Sequence, residues 1–341
     1  FRRHPHMHVA IRGGLAGAAL LTVAACSGGT SQSPSVISQG MASSIVHRGV
    51  PFVPAQRYAA AVPNAGGYST KKSLVFVGDQ FQTDVFIYQT KKLGSNPAAI
   101  ATIHVAAGCP YGLAMNSKGT LYVADNCGGN DVELYGKGST TLKSKITNGI
   151  SNPLGLAIDK SGTLYVSNYP ASITEYPAGT SNPSKTITGG GMADPFGLAL
   201  DSAGNLYIAD FGASAVFELP AGGSSVTNLN LQGLGEPIGL AVDQKNNLLW
   251  ETGGSGKIVN VYKLGGSTSP IETITSGFTD PYAISLQNKA KPAGTVVISD
   301  LYDRNSGLDG SIFAFKAGQY TPYATLTNNV TLPTGILIAK P

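Results

Sequence analysis

Short apolar segments recur at regular intervals along most of this chain, and they are of two kinds. The first kind follows a Pro-x-Gly-Leu-Ala pattern at residues 110–114, 153–157, 195–199, 237–241, 281–285 and 333–337. The second kind is similar to Leu-Tyr-Val-Ala-Asp, at residues 75–79, 121–125, 164–168, 206–210, 248–252 and 296–300. No apolar period of about 3.6 residues is present, so these segments predict strands and not helices.

The spacing of the first segment gives the size of the repeat. From Gly112 the equivalent positions follow in steps of 43, 42, 42, 44 and 52 residues, at Gly155, Gly197, Gly239, Ala283 and Gly335. Such a period is typical of propeller blades that contain four antiparallel strands. We therefore predict an all-β fold, a six-bladed β-propeller over residues 73–341.

Each unit also carries the signals of its remaining turns and strands. Between the two apolar segments lie turns that close with Gly, as at residues 116–119, 159–162 and 201–204. A third strand is predicted where an apolar residue stands three places before an aromatic residue or Leu. These pairs are Val85/Tyr88, Val132/Tyr135, Ile173/Tyr176, Val216/Leu219, Val259/Tyr262 and Ile312/Phe315. Polar, Thr-rich fourth strands follow, as at residues 185–188 and 272–275.

The ends of the repeat array predict how the ring closes. The first unit begins with a second-strand segment, and residues 333–339 form an opening segment without its second strand. We expect the strand around Ile336 to pair beside the strand that contains Phe76, which removes the free edges of an open array. Gly112 and Ala114 leave one face of the first strand nearly flat, which lets blades converge at the hub.

These repeats resemble the NHL-repeat family and related six-bladed propellers, whose repeat reads roughly P-x-G-[IV]-A-V-D-x-x-G-N-[IL]-Y-V-A-D. The resemblance covers about residues 73–341 and implies the propeller fold. The shared residues are those of the hub and the turns, and the family includes sensors, protein-binding modules and some enzymes, so the resemblance does not assign a function.

The N-terminal region predicts export and a lipid anchor. Residues 1–25 have a short basic start and an apolar core that is too short for a membrane span, and residues 23–26 resemble a bacterial lipobox. This resemblance implies that Cys26 is the acylated first residue, on the extracytoplasmic side of the cell envelope. An ordinary secretory signal is the alternative. Residues 26–72 are rich in Ser, Gly, Ala and Pro and predict a tether.

Charge argues against nucleic-acid binding. The whole chain has 23 Lys and Arg against 19 Asp and Glu, but Arg2, Arg3 and Arg12 lie in the predicted leader. The mature chain is therefore nearly neutral and has no basic cluster beyond doublets. We expect a monomer whose membrane contact is its lipid anchor.

Two cysteines remain after Cys26. Cys109 and Cys127 lie nine residues on either side of Lys118, the centre of the first hairpin turn, so they should face each other across the strand pair. An oxidising compartment favours a disulfide between them. A metal or redox pair is the alternative, although no CxxC spacing or nearby His supports it.

The loops before first strands and after second strands meet at one face, the mouth of the central channel. Just before the repeated Pro stand Cys109, Asn152, Asp194, Glu236, Asp280 and Leu332, and just after it stand Tyr111, Leu154, Phe196, Ile238, Tyr282 and Thr334. This acidic arc beside aromatic residues suits a cation, a polar small molecule or a peptide. Turn capping by Asn and Asp is the alternative. Second-strand Asp residues recur too regularly for a site, and we expect them to hold the turns that follow.

Two segments depart from the repeat. The loop at residues 301–311 is longer than its equivalents and brings together Asp303, Asn305 and Asp309. It faintly resembles a calcium loop, but it lacks the Gly and the terminal Glu of the helix-flanked pattern. The other departure is the fifth second-strand segment, where the only Trp, Trp250, precedes Glu251 and Thr252.

Any prediction of a catalytic function depends on the acidic residues at the mouth. Glu236, in a Leu-Gly-Glu-Pro context, resembles the ligand motif of calcium-dependent lactonases of the gluconolactonase and regucalcin type, and Asn152 lies in an equivalent loop. Streptogramin lyases rely on a channel His, whereas His47 and His104, the two His after the leader, fall in the tether and an outer strand. The favoured interpretation is a binding or scaffold module for an envelope protein, peptide, glycan or small ligand, without catalytic residues or a required cofactor. The alternative is a divalent-metal-dependent lactonase or hydrolase with Glu236 and Asn152 as metal ligands and Ca²⁺ as the candidate ion.

Overall fold

The structure is a computed structural model, and it describes residues 67–105, 108–254, 256–275, 277–288, 294–301, 310–316 and 318–341. The predicted signal peptide, Cys26 and all but the last residues of the tether lie outside the described residues. So do Asp303, Asn305 and Asp309. Among the described residues, no helix is long and apolar enough to span a membrane.

The described residues form 24 strands and one short 3₁₀ helix, Thr90–Ser95. In chain order the strands are β1 Leu74–Asp79, β2 Asp84–Gln89, β3 Ala101–His104, β4 Pro110–Met115, β5 Leu121–Asp125, β6 Asp131–Tyr135, β7 Leu142–Ile146, β8 Pro153–Ile158, β9 Leu164–Asn168, β10 Ser172–Tyr176, β11 Lys185–Ile187, β12 Pro195–Leu200, β13 Leu206–Asp210, β14 Ala215–Leu219, β15 Thr227–Asn228, β16 Pro237–Asp243, β17 Leu248–Gly253, β18 Ile258–Lys263, β19 Glu272–Ile274, β20 Pro281–Leu286, β21 Val296–Asp300, β22 Ser311–Phe315, β23 Ala324–Leu326 and β24 Pro333–Ala339.

The strands form six antiparallel sheets of four strands each, which confirms the predicted six-bladed propeller. The first blade has the order β24-β1-β2-β3, and the second to sixth blades take β4–β7, β8–β11, β12–β15, β16–β19 and β20–β23 in turn. The turns predicted from a closing Gly form as expected. Gly119, for example, has φ +82° and donates its N–H to the Asn116 carbonyl at 3.0 Å.

The ring closes through the C-terminal strand, as predicted. Strand β24 pairs antiparallel with β1, with Leu337 opposite Phe76 and Ile336 opposite Val77. The carboxylate of Asp79, at the end of β1, accepts the N–H groups of Thr331 at 2.6 Å and Leu332 at 3.1 Å. Strand pairing and these hydrogen bonds together join the two ends of the array.

Blades approach each other closely at the hub. A Cβ on Gly335 would lie 1.9 Å from the Tyr111 carbonyl oxygen, and one on Gly155 would lie 2.1 Å from the Phe196 carbonyl oxygen. No side chain fits at such separations, so the predicted flat face of the first strands is confirmed.

Third-strand tyrosines join neighbouring blades farther from the axis. The hydroxyl groups of Tyr88, Tyr176 and Tyr262 donate to the carbonyl oxygens of Asn328, Asn148 and Gln232, at 2.8, 2.7 and 2.9 Å. The rings are at most 1% exposed. Each buried hydroxyl therefore finds a partner in the preceding blade, which satisfies the polar end of an otherwise apolar side chain.

The fifth blade departs from the predicted alignment by one residue. Gly253 pairs with Pro237, as Asp210 pairs with Pro195 in the fourth blade, so the second-strand segment ends at Gly253 and not at Thr252. Glu251 consequently occupies the position of aliphatic Ile208. The prediction failed because it aligned segments by apolar content, whereas a buried carboxylic acid stands at an aliphatic position here.

Candidate binding face at the channel mouth

Side chains at the ends of second strands hold the mouth loops in place. Asp210 accepts the N–H groups of Ala193 and Asp194, both at 2.9 Å, and that of Ala213 at 2.8 Å. Asn168 accepts the N–H of Ser151 in the same way, at 3.0 Å. These side chains therefore hold the loop before the first strand as well as the turn that the sequence predicted.

A disulfide braces the mouth loops of the second blade. Cys109 and Cys127 are bonded, with their Cα atoms 5.2 Å apart, which confirms the predicted pair. The Cys109 N–H also donates to Asp125 Oδ1 at 3.0 Å. The loop before β4 is therefore tied to the loop after β5 by a covalent bond and a hydrogen bond.

Five of the six residues that follow the repeated Pro pack together at the mouth of the channel. Their side chains are buried in one apolar cluster, which we call the plug: Tyr111, Leu154, Phe196, Ile238 and Tyr282. The Tyr282 ring centroid lies 6.4 Å from that of Tyr111 and 6.2 Å from that of Phe196. The structure thus brings together the three aromatic residues that the sequence singled out at this face.

Behind the plug lies the central cavity, of about 320 Å³. The six first strands line it, and each of these strands pairs on one side only. Their other edges therefore present backbone N–H and C=O groups to the cavity. None of the four predicted mouth acids and amides, Asn152, Asp194, Glu236 and Asp280, lines this cavity.

Asp194 has a perturbed environment. The residue is half-buried, and its Oδ1 is shielded from solvent without a hydrogen-bond partner among the described residues. Burial and the nearby charge of Asp210 raise the pKa of Asp194 to about 7. Phe211, which donates its N–H to the Asp194 carbonyl at 2.9 Å, packs its ring 5.9 Å from that of Phe196. Asp194 therefore lies beside the aromatic plug.

The other acid and amide positions differ from one another. Asp280 is only 4% exposed, and its N–H donates to Asp300 Oδ1, so it belongs to the loop scaffold. Asn152 and Glu236 are half-buried, with φ angles of +44° and +53°. They open the third and fifth blades, so a whole blade lies between them. Metal binding by these two residues stays a prediction.

Two buried acidic features were not found from the sequence. Asp125, Asp131 and Glu133 lie together in the second blade, with ligand atoms within 4.8 Å of one another. In the fifth blade Glu251 is fully buried, and burial raises the pKa of Glu251 to about 8. The sequence signal that could have indicated them is an acidic residue inside an otherwise apolar strand, at Glu133 and Glu251.

His104 lies where the sequence placed it, away from the channel. It is on β3, the outer strand of the first blade, and its side chain is 63% exposed. Its Nδ1 lies 2.6 Å from Asp84 Oδ1. Since it faces solvent on an outer strand, it is no candidate for a general base at the mouth.

Comparisons with known proteins bear on the fold. The chain matches no family model and no curated protein, so membership in the NHL-repeat family stays a prediction. Among solved structures, one of a nidogen/laminin complex is similar over 78% of this chain and 98% of the other, with a TM-score of 0.61 and 18% identity. The likeness shows the propeller fold. A streptogramin B lyase structure matches less well, with a TM-score of 0.46 and 14% identity over 62% of this chain and 69% of the other.

Proposed function

We propose that this chain is a lipid-anchored binding or scaffold module of the bacterial cell envelope, and that it holds a peptide or protein partner at the channel mouth. The partner contributes a basic side chain, which binds at Asp194 and packs on the aromatic residues of the plug. The observation that carries this proposal is Asp194 Oδ1, which is shielded from solvent and has no hydrogen-bond partner among the described residues, on a residue whose carbonyl accepts the Phe211 N–H.

The chemistry of the mouth favours a cationic group. A partly desolvated carboxylate gains a charge-assisted hydrogen bond from an ammonium or guanidinium group, and aromatic faces attract the same cations. Rings from the second, fourth and sixth blades meet in the plug, so a ligand at the mouth rests on them. Propellers of this fold also occur in protein complexes, as in the nidogen/laminin structure.

Asp194→Asn is expected to weaken the binding of a basic peptide at least about tenfold, because the variant keeps the size of the side chain and removes its charge. The probe is a peptide selected on the full-length chain from a random display library, and fluorescence titration measures its affinity. The selected sequences should contain Lys or Arg.

Glu218→Gln is the matched control, because it removes one negative charge from the third strand of the same blade, away from the mouth. The control should bind the peptide as the wild type does. Wild-type affinity should also fall about tenfold from pH 8 to pH 6, as Asp194 becomes protonated around pH 7. Selected peptides without basic residues, or equal affinity for Asp194→Asn, would contradict the proposal.

Cys26→Ser is expected to release the chain from the membrane fraction of bacteria that express it, because the predicted lipid attachment is removed. Fractionation followed by immunoblotting measures this, together with incorporation of labelled palmitate into the wild type. Retention of the variant in the membrane fraction, or unlabelled wild-type protein, would show that the anchor is wrong.

A metal-dependent lactonase is the alternative function, and one observation favours it. Glu236 and Asn152 are non-glycine residues with φ in the left-handed region, and such conformations cluster at functional sites. In this alternative Glu236 and Asn152 would hold a divalent ion, which would polarise the lactone carbonyl for attack by water. A mouth carboxylate would take the proton of that water and pass it to the ring oxygen released when the C–O bond breaks.

Glu236→Ala is expected to abolish any lactone hydrolysis that the purified chain shows with Ca²⁺, because the variant loses the proposed acidic ligand. A pH-stat assay with a panel of γ- and δ-lactones measures the rate, and Glu218→Gln serves again as the control. If the wild type shows no hydrolysis above the uncatalysed rate, or if the variant keeps it, the alternative is excluded.

A further inference from the structure

Three carboxylates converge inside the second blade, at the end that faces the mouth. Asp125 ends β5, and Asp131 and Glu133 lie on the adjacent strand β6, with Asp131 directly opposite Asp125 in the register. The three residues are at most 3% exposed. Each can offer an oxygen that lies within 4.8 Å of the others.

Lys145 compensates part of this negative charge. Its Nζ lies 2.9 Å from Asp131 Oδ2 and 2.8 Å from Glu133 Oε1. One ammonium group faces three carboxyl groups, and Tyr135 donates its hydroxyl to the remaining oxygen of Glu133. Burying an unpaired charge costs free energy, so a further positive charge would stabilise the cluster.

Asp125 provides a second and independent observation. Its Oδ1 accepts the Cys109 N–H, but its Oδ2 finds no hydrogen-bond partner in the part of the chain that the structure describes, although the residue is fully buried. Gly129 packs directly against this oxygen: a Cβ on Gly129 would lie 2.4 Å from Asp125 Oδ2 and 3.0 Å from Asp131 Oδ2, so only a residue without a side chain fits beside the two carboxylates. The equivalent Asp210 of the fourth blade accepts three N–H groups and uses both of its oxygens.

We propose that Asp125, Asp131 and Glu133 form a calcium-binding site that ties the second blade to the mouth loops. The separations fit, because two oxygens bound to one Ca²⁺ at about 2.4 Å each lie at most about 4.8 Å apart. Carboxylate oxygens without His or thiolate ligands favour Ca²⁺ over zinc and copper ions.

The site extends to the neighbouring blade through the loop between β5 and β6. In this loop Asn126 donates its Nδ2 to the Pro153 carbonyl at 3.1 Å, and Asn130 accepts the Asn152 N–H. The disulfide at Cys127 holds the same loop. Calcium at Asp125 and Asp131 therefore orders the mouth between the second and third blades.

The test is calcium titration of the EDTA-treated, full-length chain at pH 8, by calorimetry and by thermal unfolding. The wild type should bind one Ca²⁺ per chain, and saturating Ca²⁺ should raise its midpoint of unfolding by about 5 °C, whereas NaCl of equal ionic strength should not. Asp125→Asn should lose both the heat and the shift. Gly129→Ala should lose them too, because its methyl group would displace the carboxylates of Asp125 and Asp131 without changing the charge.

Asp210→Asn is the matched control, because it alters the equivalent residue of the fourth blade. It should unfold at a lower temperature than the wild type and keep the full calcium shift. Lys145→Met should be destabilised without calcium and should bind it more tightly, since the cluster loses the positive charge of the ammonium group. The absence of heat and of a shift in the wild type would overturn the proposal, as would a shift that survives Asp125→Asn or disappears in Asp210→Asn.

Discussion

A chain that ends at Leu332 is expected to lose the cooperative unfolding of the propeller. The deletion removes β24, which supplies the innermost strand of the first blade and pairs with β1 along its whole length. Phe76 and Val77, both fully buried, would then lie on an unpaired sheet edge. The core around Val75 and Val77 would also lose the side chains of Ile336 and Ile338. An open array of blades exposes two such edges, which favours aggregation.

Thermal unfolding followed by near-ultraviolet circular dichroism measures this effect. A chain that ends at Lys340 is the control, because it keeps all of β24, and it should unfold near the wild-type temperature. If the chain that ends at Leu332 unfolds as cooperatively as the control and at the same temperature, the ring does not depend on its C-terminal strand.

Glu251→Gln is expected to make the chain more stable than the wild type above pH 8, while the two are nearly equal at pH 5. Burial raises the pKa of Glu251 from 4.5 to about 8, and the hydrogen bond from Asn260 Nδ2, at 3.0 Å, offsets only part of this. The folded state therefore holds a proton that the unfolded chain has released, so stability falls as the pH rises from about 4.5 to 8. The loss is on the order of 5 kcal/mol and is complete above the folded-state pKa.

Urea unfolding at pH 5, 7 and 9 measures the difference between the variant and the wild type, which isolates Glu251 from the other buried acids. Glutamine keeps an acceptor for Asn260 and does not titrate. Glu218→Gln, which removes one carboxylate from a half-buried strand position, is the control. Parallel pH dependence of Glu251→Gln and the wild type would mean that Glu251 is ionised in the folded chain.

The repeat made most of the fold predictable. Strand positions, turn positions and ring closure all follow from features that recur in each blade, such as the closing Gly at position 119 and the unpaired opening segment at residues 333–339. Strand pairing and burial impose the same pattern on every blade, so a strand predicted in one blade can be verified against the equivalent positions of the others. The pair of Cys109 and Cys127 was predictable because their spacing is fixed by a single hairpin.

The mouth was only partly predictable, because side-chain burial there depends on several blades at once. Tyr111, Phe196 and Tyr282 were identified as neighbours, but their packing into a plug depends on the diameter of the ring. Asp194 and Asp280 occupy equivalent sequence positions, yet the first is half-buried and the second is 4% exposed. The conformation of the loops decides this difference in burial, and the sequence around each Asp does not indicate it.

The buried acids escaped prediction for another reason. Glu133 and Glu251 stand inside strands, where a polar residue ordinarily indicates a solvent-facing position. Their neighbours across the sheet, Lys145 for Glu133 and Asn260 for Glu251, reveal the buried interactions, and these pairings require the strand register. In a pseudo-symmetric ring, functional residues are best sought where the sequence departs from the repeat, as it does at Glu133 and Glu251.

The most direct test of a binding role for the mouth is hydrogen–deuterium exchange of the full-length chain with and without its selected basic peptide. The peptide should slow amide exchange in the loops that carry Asp194, Phe211 and Tyr282, and should leave the turns at the opposite ends of the first strands, such as residues 116–119 and 201–204, unchanged. Protection confined to those turns or to the outer strands would contradict the account, because the partner would then bind away from the mouth.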